Sequence, residues 1–223
     1  MAVSIIQKYY SLKNLYLFSG IVLATIFISL LSNKLLINEI VFYNTYSEQL
    51  TWERSLKLFA DLKNIAWVGY AFIPVILFIK FSLVSLVLYT GVFLFDLQKE
   101  ITPGMIFRVV TGSEIIILSA SLVKFLWFLF FAGNYTISDM SFFYPLALIN
   151  IFRSDEVSNF WIFPLQMVNL FQLLYIISLS YGLYSVAGIK QSNSEKIVLT
   201  TYVPAIIFWM AFVMFLTVDT TAL

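Results

Sequence analysis

Pro74-Val-Ile-Leu-Phe-Ile-Lys80-Phe-Ser-Leu-Val-Ser-Leu-Val-Leu-Tyr-Thr-Gly-Val-Phe-Leu-Phe95 runs into a polar elbow, Asp96-Leu-Gln-Lys-Glu-Ile-Thr-Pro-Gly104, and then into a second apolar run from Met105 to Phe131. A helix rises 1.5 Å per residue and needs about 20 apolar residues to cross a bilayer, so each run is long enough to span. Both carry charge: Lys80 in the first, and Arg108, Glu114 and Lys124 in the second. Ionisable groups in hydrocarbon are costly and are paired, snorkelling or functional. Any function is therefore sought here first.

Composition sets the class. Of 223 residues 61% are hydrophobic and 11% charged, against about 25% charged in soluble domains. The sequence therefore predicts an integral membrane protein of one domain. Its 23 Phe and 13 Tyr suit lipid-facing surfaces with aromatic belts. There is no cysteine and no histidine, which excludes disulfides, thiol chemistry, Cys/His zinc sites and histidine proton relays. No cofactor is expected. The net charge of +1 lacks the basic stripe of a nucleic-acid binder, so no nucleic acid is expected among the partners. A basic flank without a small-residue cleavage site makes the first apolar run a retained span rather than a signal peptide.

Outward from the central pair, the hydropathy predicts five spans, at about 15–32, 74–97, 105–131, 160–189 and 197–218. Residues 1–14 read as a short amphipathic entry, with Lys8 and Lys13 beside Tyr9, Tyr10 and Leu12. Residues 51–63 read as a separate amphipathic helix between the first two spans. Thr51 is its N-cap, Glu53 lies in its first turn, and Leu58, Leu62, Ile65 and Ala66 form its apolar positions. Such a helix lies on the membrane surface, caps the bundle or covers neighbouring loops. Apolar sequence from Ala66 to Leu97 is too long for one straight span, which predicts a break or kink near Pro74. Residues 132–159 read as a loop with a short apolar piece at Phe142–Phe152, and Asn134-Tyr-Thr136 matches a glycosylation sequon. Pro204 is placed to bend the last span.

An odd number of spans puts the termini on opposite sides. With the N-terminus inside, six Lys/Arg (Lys8, Lys13, Lys99, Arg108, Lys190, Lys196) fall inside and five (Lys34, Arg54, Lys57, Lys63, Arg153) outside. The short loops thus favour a cytoplasmic N-terminus, in the plasma or inner membrane if the cell is bacterial.

Lys80 falls about six residues into the second span as delimited by Pro74, and Glu114 a turn deeper into the third. Antiparallel neighbours would bring the two close in depth. They read as a structural pair, as a lysine that snorkels alone, or as part of an ion or substrate site. Lys124 beside Trp127 reads as a snorkelling residue, and Arg108 as a contact for lipid headgroups. Gly112-Ser113, Ser119 and Ser121 suggest a close helix seam. Gln166, Asn169 and Gln172 recur every three residues, with Ser178 and Ser180 beyond; such a stripe glues helices together or lines a polar path. No nucleophile elbow, zincin helix, phosphate loop or carboxylate cluster is present.

A span ending in Thr102-Pro-Gly104, the helix start Met105-Ile-Phe-Arg108, the span end Ser180-Tyr-Gly-Leu-Tyr-Ser185, the connector Lys190–Lys196 and the final Tyr202-Val-Pro204 together resemble the YIP1-like five-span family. The likeness covers roughly 74–218, in the layout of the shorter bacterial-type members. It implies an all-α bundle with the N-terminus inside and supplies no catalytic residue. The expectation is a non-enzymatic, all-α, five-span protein in contact with membrane lipids. It is either a scaffold or accessory subunit beside other membrane subunits, or a small transporter or channel subunit using Lys80, Glu114 and the Gln166/Asn169/Gln172 stripe.

Overall fold

The computed structural model describes residues 9, 10 and 12–221. The expected amphipathic entry over residues 1–14 lies largely outside them, Lys8 included. Among the described residues the chain is predominantly helical, without a β-strand. The helices are α1 (Asn14–Leu36), α2 (Glu39–Tyr46), α3 (Trp52–Leu94), α4 (Pro103–Phe130), α5 (Ile137–Phe142), α6 (Asn159–Met167), α7 (Leu170–Ala187), α8 (Gln191–Ile197) and α9 (Val203–Thr221). A 3-10 turn occupies Leu148–Ile151, and a π-helical segment, Val198–Tyr202, joins α8 to α9. Five helices are long and apolar enough to cross a membrane: α1, α3, α4, α7 and the composite Gln191–Thr217. The protein is a multi-pass, all-α membrane protein.

Local chemistry sets the helix ends. Thr102 caps α4 by accepting from the Met105 N–H, and Pro103 occupies the first turn, where no N–H is missed. Asn38 caps α2, and Thr136 and Asp139 form a reciprocal capping box on α5. Gly188, at φ 67°, ends α7 in the left-handed conformation that glycine adopts without penalty. Thr51 stands at the N-cap of α3, but its hydroxyl makes no capping bond.

Two expectations are overturned. No separate amphipathic helix precedes the second span: residues 52–64 are the first turns of α3, which runs 43 residues unbroken through Pro74. The reason is the solvent. A helix break in lipid strands several backbone groups, whereas Pro74 removes a single hydrogen bond. At ~64 Å, α3 is twice the thickness of a ~30 Å hydrocarbon core. Its leading turns therefore stand clear as an arm, clasped by α2 through Phe42–Phe59 and Tyr43–Trp52 ring contacts at 5.4 and 4.9 Å. The fourth apolar segment is likewise not one helix. It breaks at Val168-Asn169, where the backbone pairs with residues 146–148: Leu148 N–H to Val168 O (2.9 Å) and Leu170 N–H to Leu146 O (3.2 Å).

The core lies between α3, α4, α7 and the π segment, with Phe81, Leu88, Val92, Ile106, Val109 and Leu183 fully enclosed. α4 is central, packed on α1, α3 and α7. Its approach to α7 is close: a Cβ on Gly182 would sit 2.7 Å from Val109 Cγ1. A second cluster, Leu36, Phe125 and Phe128 with Tyr135 and Phe143, closes the end of the bundle that bears the arm. That end is the arm side, and the one with residues 95–102 is the elbow side.

Candidate functional site

Lys80 is the sole charge in the apolar stretch of α3 from Ile65 to Phe95 and lies about fifteen residues from either end. Pro74 does not begin the span, so Lys80 sits at the middle of the apolar stretch rather than near one end. Its ammonium donates to Glu114 Oε1 at 2.5 Å. The lysine side chain is 42% exposed and that of Glu114 6%. The carboxylate is thus enclosed, and the lysine stem reaches it from the rim of the bundle. The other oxygen, Oε2, is buried and has no hydrogen-bond partner among the described residues. Glu114 is also the one acidic residue in the apolar runs of all five membrane helices.

Beside it, on the elbow side, lies a knot of hydroxyls. Ser178 Oγ donates to Ser113 Oγ at 3.0 Å, and Tyr10 Oη lies 3.1 Å from Ser113 Oγ and 3.0 Å from Ser178 Oγ. Tyr9 Oη donates to the Gly112 carbonyl at 3.1 Å. The aromatic pair enters because two glycines admit it: a Cβ on Gly112 would lie 2.6 Å from the Tyr10 ring, and one on Gly182 3.2 Å from its phenolic end. Burial, with the neighbouring Tyr10 adding to it, pushes the Tyr9 phenol up to about 12. Thr111 lies one turn from Glu114 on the same helix face; its hydroxyl is fully buried and has no hydrogen-bond partner among the described residues. The Ser85 hydroxyl of α3 is in the same state, whereas others in these helices bond back to their own backbone. Thr25, Ser121, Ser180 and Thr201 all return theirs to the carbonyl four residues back.

Towards the arm side, Gln172 Nε2 donates to Tyr202 Oη at 2.9 Å, and Tyr202 packs on Tyr175 with ring centroids 5.6 Å apart. Tyr175 Oη is a further buried atom without a hydrogen-bond partner among the described residues. The contacts Val109–Gly182 and Ser113–Ser178 fix the antiparallel register of α4 and α7. By that register Tyr175 faces Ile116, about 3 Å along the axis from Glu114. Tyr202 comes from the π segment, a geometry that widens one helical turn and recurs at functional sites.

The other sequence candidates do not form one stripe. Gln166, Asn169 and Gln172 straddle the break, so their threefold spacing does not place them on one helical face. Gln166 donates to the carbonyls of Ser141 (2.7 Å) and Phe142 (2.8 Å) at the end of α5. Asn169 caps α7 through the Gln172 N–H (2.7 Å) and donates back to the carbonyl of Gln166 (2.7 Å). Arg108 Nε donates to Asn14 Oδ1 at 2.8 Å, joining α4 to the start of α1. Lys124 is half-buried and forms no ion pair among the described residues.

The arm-side segment 131–158 roofs the bundle and encloses an open cleft of about 880 Å³, lined by Trp127, Phe128, Tyr135, Asp139, Phe143 and Asn150 among others. Leu146 at its inner edge has φ 52°, a strained value for a leucine. Burial, and then the negative charge of Glu114, hold the Tyr144 phenol above its ordinary value.

The sequence offered Tyr10 only as part of an amphipathic entry and Tyr202 only as part of the family likeness, and gave no signal for Thr111 or Tyr175. The signal that could have found the first is the pairing of Gly112 and Gly182, each beside small or hydroxyl residues, with an aromatic doublet ahead of the first span. Among the described residues no three Asp or Glu side chains converge as metal ligands would. No family model, no curated protein and no solved structure matches this chain.

Proposed function

We propose that the protein is a non-enzymatic ion-coupled transporter or channel subunit in which Glu114 is the ion-binding group. One observation carries this reading: a lone carboxylate within the apolar stretches, enclosed by three helices, with one oxygen on Lys80 and the other without a partner among the described residues. A buried acceptor left without a donor costs about 1–3 kcal/mol, and more when charged, a cost that proton or ion uptake at that oxygen would relieve. The test is ion flux into liposomes holding the purified full chain. Glu114→Gln is expected to reduce flux at least tenfold, and Lys80→Met to alter it. Equal flux in wild type and Glu114→Gln ends the proposal.

A second reading rests on the arm. A two-helix projection carrying exposed Glu53, Arg54, Lys57, Asp61 and Lys63 gives a YIP1-like five-span scaffold, N-terminus cytoplasmic, a surface for another membrane subunit. A stoichiometric partner in mild detergent that is lost when Arg54 and Lys57 become Glu would support it. A strictly monomeric particle would not.

A further inference from the structure

We propose that the ion taken up at Glu114 is a proton, reaching it from the elbow side past the hydroxyls of Tyr10, Ser178, Ser113 and Thr111, and that the site excludes alkali-metal cations. The inference rests on the reading of Glu114 as the ion-binding group and names the ion.

A hard metal cation needs a shell of several oxygens at once. Here the apolar runs of the five membrane helices offer one carboxylate in all, and one of its two oxygens is already held by an ammonium. That ammonium would stand a few ångströms from any metal bound to the same carboxylate, and the repulsion of two unit charges at such separations is severe in a low-dielectric interior. A proton needs a single lone pair. Oε2 supplies it: an O–H bond forms there, the carboxylate charge is cancelled, and Lys80 keeps its own proton and charge. Loss of the same proton restores the ion pair, so no further reactant is required.

The groups that face Glu114 fit this exchange. From α3 comes Lys80, and Tyr175 of α7, Tyr202 of the π segment and Tyr144 of the arm-side roof lie within range of the Glu114 charge. One is a cation and three are phenols, and none is a second acid. On the elbow side every hydroxyl can both accept and donate. The Tyr10, Ser178 and Ser113 hydroxyls contact one another at 3.0–3.1 Å and form one cluster that ends at Ser113, the residue before Glu114. Thr111, its hydroxyl uncommitted among the described residues, stands on the Glu114 face one turn nearer the elbow.

The experiment uses the full chain in liposomes loaded with a pH-reporting dye and, separately, with a sodium-reporting dye. Expected for wild type is proton entry at least tenfold above empty liposomes, unchanged when external Na+ is replaced by K+ or choline. Glu114→Gln should abolish it. The Ser113→Ala/Ser178→Ala pair should lower it at least tenfold, as should Tyr10→Phe, which keeps the ring in its slot and guards against misfolding. Ser180→Ala, whose hydroxyl serves only its own helix, should leave it unchanged. Glu114-dependent flux of Na+, or wild-type proton entry in both the serine pair and Tyr10→Phe, overturns the inference while leaving Glu114 as an ion site. Absence of any Glu114-dependent flux overturns this inference and the transport reading together.

Discussion

At the scale of single residues the sharpest constraint is the absence of a methyl group. Gly112 and Gly182 leave room for Tyr10 where any Cβ would collide with its ring, its phenolic end or Val109. Overpacking of this kind costs about 1–3 kcal/mol, so Gly112→Ala should lower the melting temperature in detergent by several degrees. Combined with Tyr10→Ala it should cost less than the two changes summed, because the second removes the obstacle met by the first. Tyr9 gives a pH prediction. Its phenol is raised to about 12 by burial, so the fold favours the neutral form. Its contribution to stability is fully present below the unfolded value near 10 and is lost as pH rises through about 12. The absorbance titration of wild type minus Tyr9→Phe should show a phenol ionising near 12; one ionising at 10 would mean Tyr9 is not buried.

Among elements, the break between α6 and α7 is held by Asn169, which caps one helix while its amide returns to the other. Asn169→Ala should cost about 1–2 kcal/mol; no loss of thermal stability would show that the backbone pairing with residues 146–148 suffices. This break was not legible in the sequence, and the reason is specific. Gln166, Asn169 and Gln172 keep helical spacing on paper, and only a second segment offering backbone partners makes unwinding affordable in lipid. Pro74 misled in the opposite direction. Read with the rules of water it ends a helix, and that reading placed Lys80 near one end of the apolar stretch instead of at its middle. The five apolar stretches, by contrast, were plain from length and hydropathy, because that signal needs no tertiary context. The sequence also allowed a Lys80–Glu114 contact, from a short elbow between antiparallel helices, but left it open beside a lysine that snorkels alone; the ion pair is seen only in the packed structure. The roles of Tyr10 and Tyr202 escaped because what recruits the two, a glycine slot and a π turn, exists only after packing.

The whole molecule divides into an arm side and an elbow side, and the chain provides a clean way to test it. It contains no cysteine, so single cysteines placed one at a time report without background. Arg54→Cys and Asn134→Cys should react with a membrane-impermeant maleimide from one side, and Lys99→Cys and Asn193→Cys from the other. Positions in α3 between Phe72 and Tyr89 should be protected from both. Labelling of Arg54→Cys and Lys99→Cys from the same side would contradict the five-span arrangement. Which side is cytoplasmic follows from the same experiment in intact cells.

The slot that receives Tyr10 is built from Gly112, Ser113, Ser178 and Gly182, the last of them 172 positions further along the chain. On a ribosome adding about 5–20 residues each second, roughly 10–30 s separate the emergence of Tyr10 from that of its final neighbour. The aromatic doublet is thus made first and seated last. Its docking is completed only when the fourth membrane helix has arrived: a chain truncated before Ser178 keeps the Gly112 contacts of both tyrosines but lacks the Ser178 and Gly182 wall of the slot.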